Sequence, residues 1–301
     1  MMGGREALVM LVVFLSLSCG SEVTSKPDVP LSTVPIPLSG SPQPWGFESA
    51  GIAFQRAALN HETLKRTAPL GDGWVSGDGS LFLCFPDHDA ILYLKDKHAG
   101  LVFYGSKSLG GDGAPLGNPN WLHGAPDGLY LGRYDQSYGS ILKEGQGLGT
   151  FAFKADFAMP TGNGSFWVVR GADYALYKGD VILKEVRNPH KPRLLASDER
   201  YLLQATKTGL FWLLDLEKGT GQGWRLDEAV TAIYDVAMDA GLAWLLVEHK
   251  DLGRLMLVCD KLGTLRFFYG LPFEADRFTL NKGYILLVNQ AQGSAEVFRR
   301  P

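Results

Sequence analysis

Four residues of this chain could do chemistry together if the fold gathers them: Trp74, His123, Asp235 and Arg277. An imidazole, a carboxylate and a guanidinium beside an indole can hold an anionic or polar ligand, or, around a metal, activate water. They lie far apart in sequence, yet each stands four residues before an Asp or Asn that opens a turn, at Asp78, Asp127, Asp239 and Asn281. Met159 and Leu194 hold the same place before Asn163 and Asp198. Equivalent places in repeated strands form a ring, so these side chains are candidate ligand-binding residues at a channel mouth. The other reading is a channel lining of polar side chains and water. No residue is assigned a catalytic or metal-binding role, and no cofactor is expected.

The elements that must position this ring are repeats. Asp127-Gly128 suits a tight turn and leads into Leu129-Tyr130-Leu131, a polar break from Tyr134 to Gly139, then Ile141-Leu142. The order recurs after Asp78-Gly79, with Leu81-Phe82-Leu83, then Asp87-His88-Asp89, then Ile91-Leu92-Tyr93. It recurs after Asn163-Gly164, and less strictly from Asp198, Asp239 and Asn281. The turns are 49, 36, 35, 41 and 42 residues apart, the length of one four-stranded propeller blade. A helical solenoid would need apolar residues three and four apart, and no long segment has them. Two places before each turn stand Ser76, Ala125, Thr161, Ala196, Ala237 and Thr279. All are small, as crowding at one axis requires.

The last unit stops at Pro301 after its third strand. A blade short of one strand leaves an open edge, so closure must come from elsewhere. Gly51-Ile52-Ala53-Phe54-Gln55, ahead of the first unit, is the expected donor. The fold expected is therefore all-β, a six-bladed β-propeller closed by an N-terminal strand.

Gly113-Ala-Pro-Leu-Gly-Asn-Pro-Asn-Trp121 followed by Ala125-Pro-Asp-Gly-Leu-Tyr-Leu131 resembles the NHL repeat, with its glycine-rich lead, Asn-Pro, Asp-Gly turn and aromatic strand. The resemblance is close in the second unit, partial in the first and only patterned in the others. It departs where the usual Ala-Asp after the aromatic strand is Gly132-Arg133, or Cys84-Phe85 in the first unit. Such repeats imply a propeller and a binding role, but scaffolds, receptors and some enzymes share them.

The N-terminus carries a separate message. Arg5 precedes an apolar run from Ala7 to Leu17, too short to span a hydrocarbon core of about 30 Å as a helix and suited to a secretory signal. Ser16-Leu17-Ser18-Cys19 resembles a bacterial lipobox, whose cysteine is acylated after cleavage before it; Ser16 stands where Leu is commonest. Stable anchoring takes more than one acyl chain, and that route places several on one residue. Gly20 after the cysteine, rather than Asp, implies the outer membrane where a cell has one. Pro27, Pro30, Pro35, Pro37, Pro42 and Pro44 then disfavour helix and ladder pairing. The organisation expected is a signal peptide over 1–18, a semi-extended tether over 19–45 behind lipidated Cys19, and the propeller over 46–301.

Several motifs take structural readings. Asp87-His88-Asp89 suits a turn better than a metal. Asn163-Gly164-Ser165 matches a glycosylation acceptor but sits at a repeat turn. Gly219 to Gly223 precedes no helix, which a dinucleotide loop requires. Cys84 and Cys259 fall in non-neighbouring units and are expected as buried free thiols. A formal net charge of -3 supplies no basic surface for nucleic acid, and 37 glycines in 301 residues suit a turn-rich β protein.

The function expected is an exported, lipid-anchored binding or scaffold module of the bacterial cell envelope. Its partner, an envelope protein or small ligand, would meet one face of the ring, and the membrane only the anchor. The alternative is a metal-assisted hydrolase or lyase with its site at the channel mouth.

Overall fold

The computed structural model describes residues 29–56, 70–95, 102–125, 128–133, 138–143, 146–161, 164–198 and 200–300. The lipobox, Cys19, the signal segment and the turn residues Asp127 and Asn163 lie outside them. Among the described residues the strands form six four-stranded antiparallel sheets, and no helix is long and apolar enough to cross a membrane.

Blade 1 contains β2 (Gly73–Val75), β3 (Leu81–Phe85), β4 (Ala90–Leu94) and β5 (Val102–Gly105). Blade 2 contains β6 (Trp121–Ala125), β7 (Gly128–Gly132), β8 (Tyr138–Lys143) and β9 (Gln146–Ala152). Blade 3 contains β10 (Phe157–Pro160), β11 (Ser165–Arg170), β12 (Asp173–Lys178) and β13 (Val181–Arg187). Blade 4 contains β14 (Leu194–Ser197), β15 (Tyr201–Ala205), β16 (Leu210–Asp215) and β17 (Thr220–Arg225). Blade 5 contains β18 (Val230–Asp239), β19 (Leu242–His249), β20 (Gly253–Cys259) and β21 (Leu265–Gly270). Blade 6 contains β22 (Arg277–Asn281), β23 (Tyr284–Asn289), β24 (Ser294–Arg299) and, as its outermost strand, β1 (Glu48–Gln55). The six-bladed propeller closed by an N-terminal strand is the fold observed.

The second strand of each blade is apolar almost throughout, because it is buried on both faces between neighbouring blades. Tyr201 to Ala205 and Ala243 to Val247 are fully in the core. Where β3 meets β4, Pro86 to His88 form one 3-10 turn that ends in left-handed Asp89. The Asp89 carboxylate accepts the N–H groups of Leu116 and Asn118 at 3.0 and 2.7 Å, so the Asp-His-Asp motif is a turn that ties down the next connection. Cys84 and Cys259 are buried free thiols.

Closure follows the expected register. Ile52 faces Val297, Phe54 faces Ala295 and Gln55 faces Ser294, with an irregularity between Ser49 and Ile52. Phe54 is buried and meets the ring of Phe85 in blade 1 at 5.9 Å. Ile52 and Phe54 each withdraw apolar area worth about 1.5–3 kcal/mol from water. The seam between last and first blades is also fastened at the axis, where Thr279 Oγ1 donates to Gly73 O at 2.7 Å and Asn281 Nδ2 to Val75 O at 2.8 Å.

The free tether is corrected from residue 29 onward. Residues 29–45 form a strap along the rims of blades 4 and 5, where Leu31 and Ile36 bridge in parallel to Gly223 and Leu226, and Gln43 to Tyr269. Proline has no N–H and breaks a ladder, but a single residue between two prolines keeps both its groups. In Pro35-Ile36-Pro37, Ile36 N donates to Arg225 O at 2.8 Å and Ile36 O accepts from Asp227 N at 3.1 Å. In Pro42-Gln43-Pro44, Gln43 N donates to Phe268 O at 2.9 Å and Gln43 O accepts from Gly270 N at 3.0 Å. Ile36 is buried in the core between blades 4 and 5. Trp45 packs its ring on Phe47, Tyr269 and Phe298, at 4.6, 6.2 and 5.4 Å.

Two stability outcomes follow from this packing. Deleting residues 47 to 56 is expected to lower the melting temperature or abolish soluble expression, and a deletion that melts like the parent would show that β1 is not what holds the ring shut. Ile36→Ala is expected to cost about 2–4 kcal/mol in urea unfolding, while Gln43→Ala, whose pairing is all main chain, stays within about 0.5 kcal/mol. Equal losses at both positions would contradict the strap.

Candidate functional site

The inner strands surround a cavity of about 250 Å³ lined by Trp74, His123, Met159, Leu194 and Asp235 among others. Arg277 stands behind this lining rather than in it. Its Nη1 donates to Tyr234 O at 3.0 Å and lies 3.8 Å from Asp235 Oδ1. Three of the four candidate residues therefore reach the cavity, and the fourth braces one of them.

The ladder register divides the expected single ring into two layers. In blade 1 Val75 pairs with Leu81 across a five-residue turn, whereas in blade 5 Asp239 pairs with Leu242 across two residues. Counting back from the turn thus aligned Trp74 with Asp235, although pairing places Trp74 nearer the hairpin. Trp74 and His123 share the layer closer to the turns, and their rings meet at 4.9 Å. A Cβ at Gly124 would lie 2.2 Å from the Trp74 indole nitrogen, so only glycine there admits the indole. Asp235 and Arg277 belong to the layer nearer the strand starts.

The residue that matches Asp235 is Asp72, which the count from the turn missed. Asp235 accepts the N–H of its own successor Val236 at 2.9 Å and that of Phe278 in the next blade at 3.0 Å. Asp72 does the same with Gly73 at 2.8 Å and, in the next blade, Leu122 at 3.3 Å. Each carboxylate staples two blades. The sequence signal was present in Gly71-Asp72-Gly73, an acid inserted at the head of an apolar strand, but it lay six residues from Asp78 instead of four.

These groups titrate abnormally for stated reasons. Burial and the neighbouring Asp235 push Asp72 up to about 7, against the opposing pull of Arg277. Asp235 is raised by burial and held back by Arg277. Burial therefore disfavours the charged form of both acids, and Arg277 opposes it at each. Burial takes His123 down to about 4, so its imidazole is neutral at pH 7. Burial and Asp72 together raise the Cys84 thiol, which receives Asp72 N–H at 2.9 Å and is inert as a nucleophile. Among the described residues no three His, Cys, Asp or Glu side chains are grouped to hold a metal ion. What remains can accept or donate hydrogen bonds to a small, partly apolar guest.

No protein-family model matches the chain, and no curated protein matches it. Solved propellers do. The WD40 propeller domain of Doa1 superposes with a TM-score of 0.50 at 14% identity, covering 85% of this chain and 97% of that one. BBS1N, crystallised in complex with ARL6DN, gives 0.52 at 9% identity over 85% of this chain and 97% of that one. A catalytically inactive virginiamycin B lyase from Staphylococcus aureus, solved with quinupristin, gives 0.55 at 10% identity over 82% and 99%. At such identities the likeness is one of fold.

The two shifted groups predict opposite pH slopes. Asp72 binds its proton more tightly folded (about 7) than unfolded (3.8), so its stabilising contribution is complete below pH 4 and lost as pH rises toward 7. His123 contributes fully above 6.5 and loses its contribution as pH falls toward 4. Asp72→Asn is expected to gain on the parent by up to about 1.4 kcal/mol per pH unit between pH 4 and 7, measured by urea unfolding across that range. A variant whose stability tracks the parent at every pH would show that Asp72 is charged throughout.

Proposed function

We propose that this chain is an exported, lipid-anchored binding or scaffold module of the bacterial cell envelope, built on NHL-like repeats. The observation that carries the binding reading is the occupation of the channel acids. Asp72 and Asp235 each direct both carboxylate oxygens to main-chain N–H groups of adjacent blades, as braces do. Chemistry at the axis would have to release them first, at the cost of unpaired buried N–H groups. Partner recognition is better served by the face carrying the β3–β4, β11–β12, β15–β16, β19–β20 and β23–β24 hairpins, whose loops are held on a rigid ring. Leu252 stands 44% exposed there, beside Lys250 and Asp251. BBS1N, similar in fold, was itself crystallised in complex with ARL6DN.

Anchoring rests on Ser16-Leu17-Ser18-Cys19. In a bacterial host, labelled palmitate is expected in the parent and absent from Cys19→Ala, which should leave the membrane fraction. Label retained by Cys19→Ala would overturn the anchor. For the binding face, cross-linking in intact envelopes is expected to lose its adduct in Leu252→Asp while melting is unchanged, and to keep it in His123→Ala. The opposite pattern, or stoichiometric calcium or zinc lost in a His123→Ala/Asp235→Ala variant, would move the assignment to a channel-mouth hydrolase or lyase.

A further inference from the structure

The blades finish differently at the rim. In blade 6 β24 is covered by β1, and the strap bridges to the rims of blades 4 and 5 at Leu31, Ile36 and Gln43. In blade 3 the outer strand β13 has no neighbour on its far side among the described residues. It shows solvent three consecutive large apolar residues, Val181, Ile182 and Leu183, at 61, 47 and 46% exposure. An uncovered apolar edge is a pairing template that folded proteins blunt or cover.

The charges that frame this triplet point to its occupant. Lys178 pairs with Val181, so Gly179 and Asp180 make a two-residue turn that sets an acid at the head of β13, and Lys184 follows the triplet directly. Both side chains are exposed, and among the described residues neither has an ion-pair partner. Asp180-Val-Ile-Leu-Lys184 thus reads acid, three apolar residues, base, and it complements itself when reversed. Set antiparallel to a second copy about a twofold axis through Ile182, each Ile182 faces the other, Val181 faces Leu183, and Asp180 faces Lys184 at both ends. A slip of one residue sets Asp180 against Glu185 in one direction and against Leu183 in the other. Opposite charges directly across a strand pair stabilise it and like charges destabilise it, so the frame fixes the register of the apolar contact. Leu183 has no partner on β12, because the register shifts between Leu176 and Tyr177. A bulge bends its strand and interrupts regular pairing, which confines the match to residues 180–184.

We propose that two copies of this chain associate edge to edge at blade 3, through antiparallel pairing of residues 180–184. Each copy offers one such edge, so the isologous contact closes at two and does not propagate. A contact of so few residues falls in the weak, transient size class, and the dimer is concentration-dependent.

The test is analytical ultracentrifugation of the full chain carrying Cys19→Ser, which keeps any lipid anchor out of the measurement, over a wide range of concentration. The parent is expected to pass from monomer to dimer. Asp180→Lys and Lys184→Asp each place like charges across both ends of the contact, and each alone should weaken the dimer at least tenfold with melting unchanged. Mixed together, these two variants should form a heterodimer as readily as the parent dimerises, because every facing pair is again Lys with Asp. The double variant Asp180→Lys/Lys184→Asp should likewise recover. Paired strands bring facing Cα atoms within disulfide reach, so Ile182→Cys should give a covalent dimer on oxidation, whereas Val102→Cys, on the rim of blade 1, should not. A parent that stays monomeric throughout, single variants that dimerise like the parent, a mixture that fails to recover, or equal cross-linking at Val102→Cys would overturn the proposal.

Discussion

The structure depends on one constraint, that a ring of sheets must satisfy the outer edge of a blade assembled from both ends of the chain. Blade 6 takes three strands from the C-terminus and β1 from the N-terminus, and Ile52 and Phe54 carry the apolar contacts across that junction. Blades 6 and 1 also meet directly, where Leu286 and Val288 join Val75, Leu81 and Leu83 in one core and Thr279 Oγ1 donates to Gly73 O. The strap extends the same principle around the rim. Its prolines exclude a continuous ladder, so Ile36 and Gln43, each framed by prolines, give one N–H and one C=O apiece, while at Leu31 the pairing groups are Pro30 C=O and Ser32 N–H.

At the axis a different balance operates. Burying two carboxylates near one guanidinium is unfavourable unless their oxygens are occupied. Asp72 and Asp235 are occupied by the very N–H groups that would otherwise be orphaned where inner strands of adjacent blades converge. Arg277, 3.8 Å from Asp235 Oδ1, eases the electrostatic strain within the acid pair. The polar character of the channel is thus tied to holding the ring together, and the loops at its face are left to vary around that rigid frame. The Trp74 and His123 pair, set in a separate layer and uncharged, gives the cavity its aromatic and hydrogen-bonding lining.

Blade count and closure were legible in the sequence because both are written locally. Turn residues recur at blade spacing, apolar runs mark strands buried on both faces, and a missing last strand requires Ile52 to Phe54 to supply it. The burial of Cys84 and Cys259 and the turn at Asp87 to Asp89 were equally readable, since each depends on neighbours a few residues away.

Two matters were decided only in three dimensions. The layer each inner-strand residue occupies depends on the length of the hairpin that follows it, and a turn of five residues against two moves a side chain along the axis; Asp72 therefore stands where Trp74 was expected, level with Asp235. The strap was read as a spacer because proline content reports what a segment cannot do alone, whereas its docking depends on free edge groups of β17 and β21, about 190 and 226 residues away. Sequence alone determined the repeating unit and how the ring shuts. Tertiary structure decided which side chains face one another across the axis, because contacts between blades are set by register and edge pairing that no local pattern encodes.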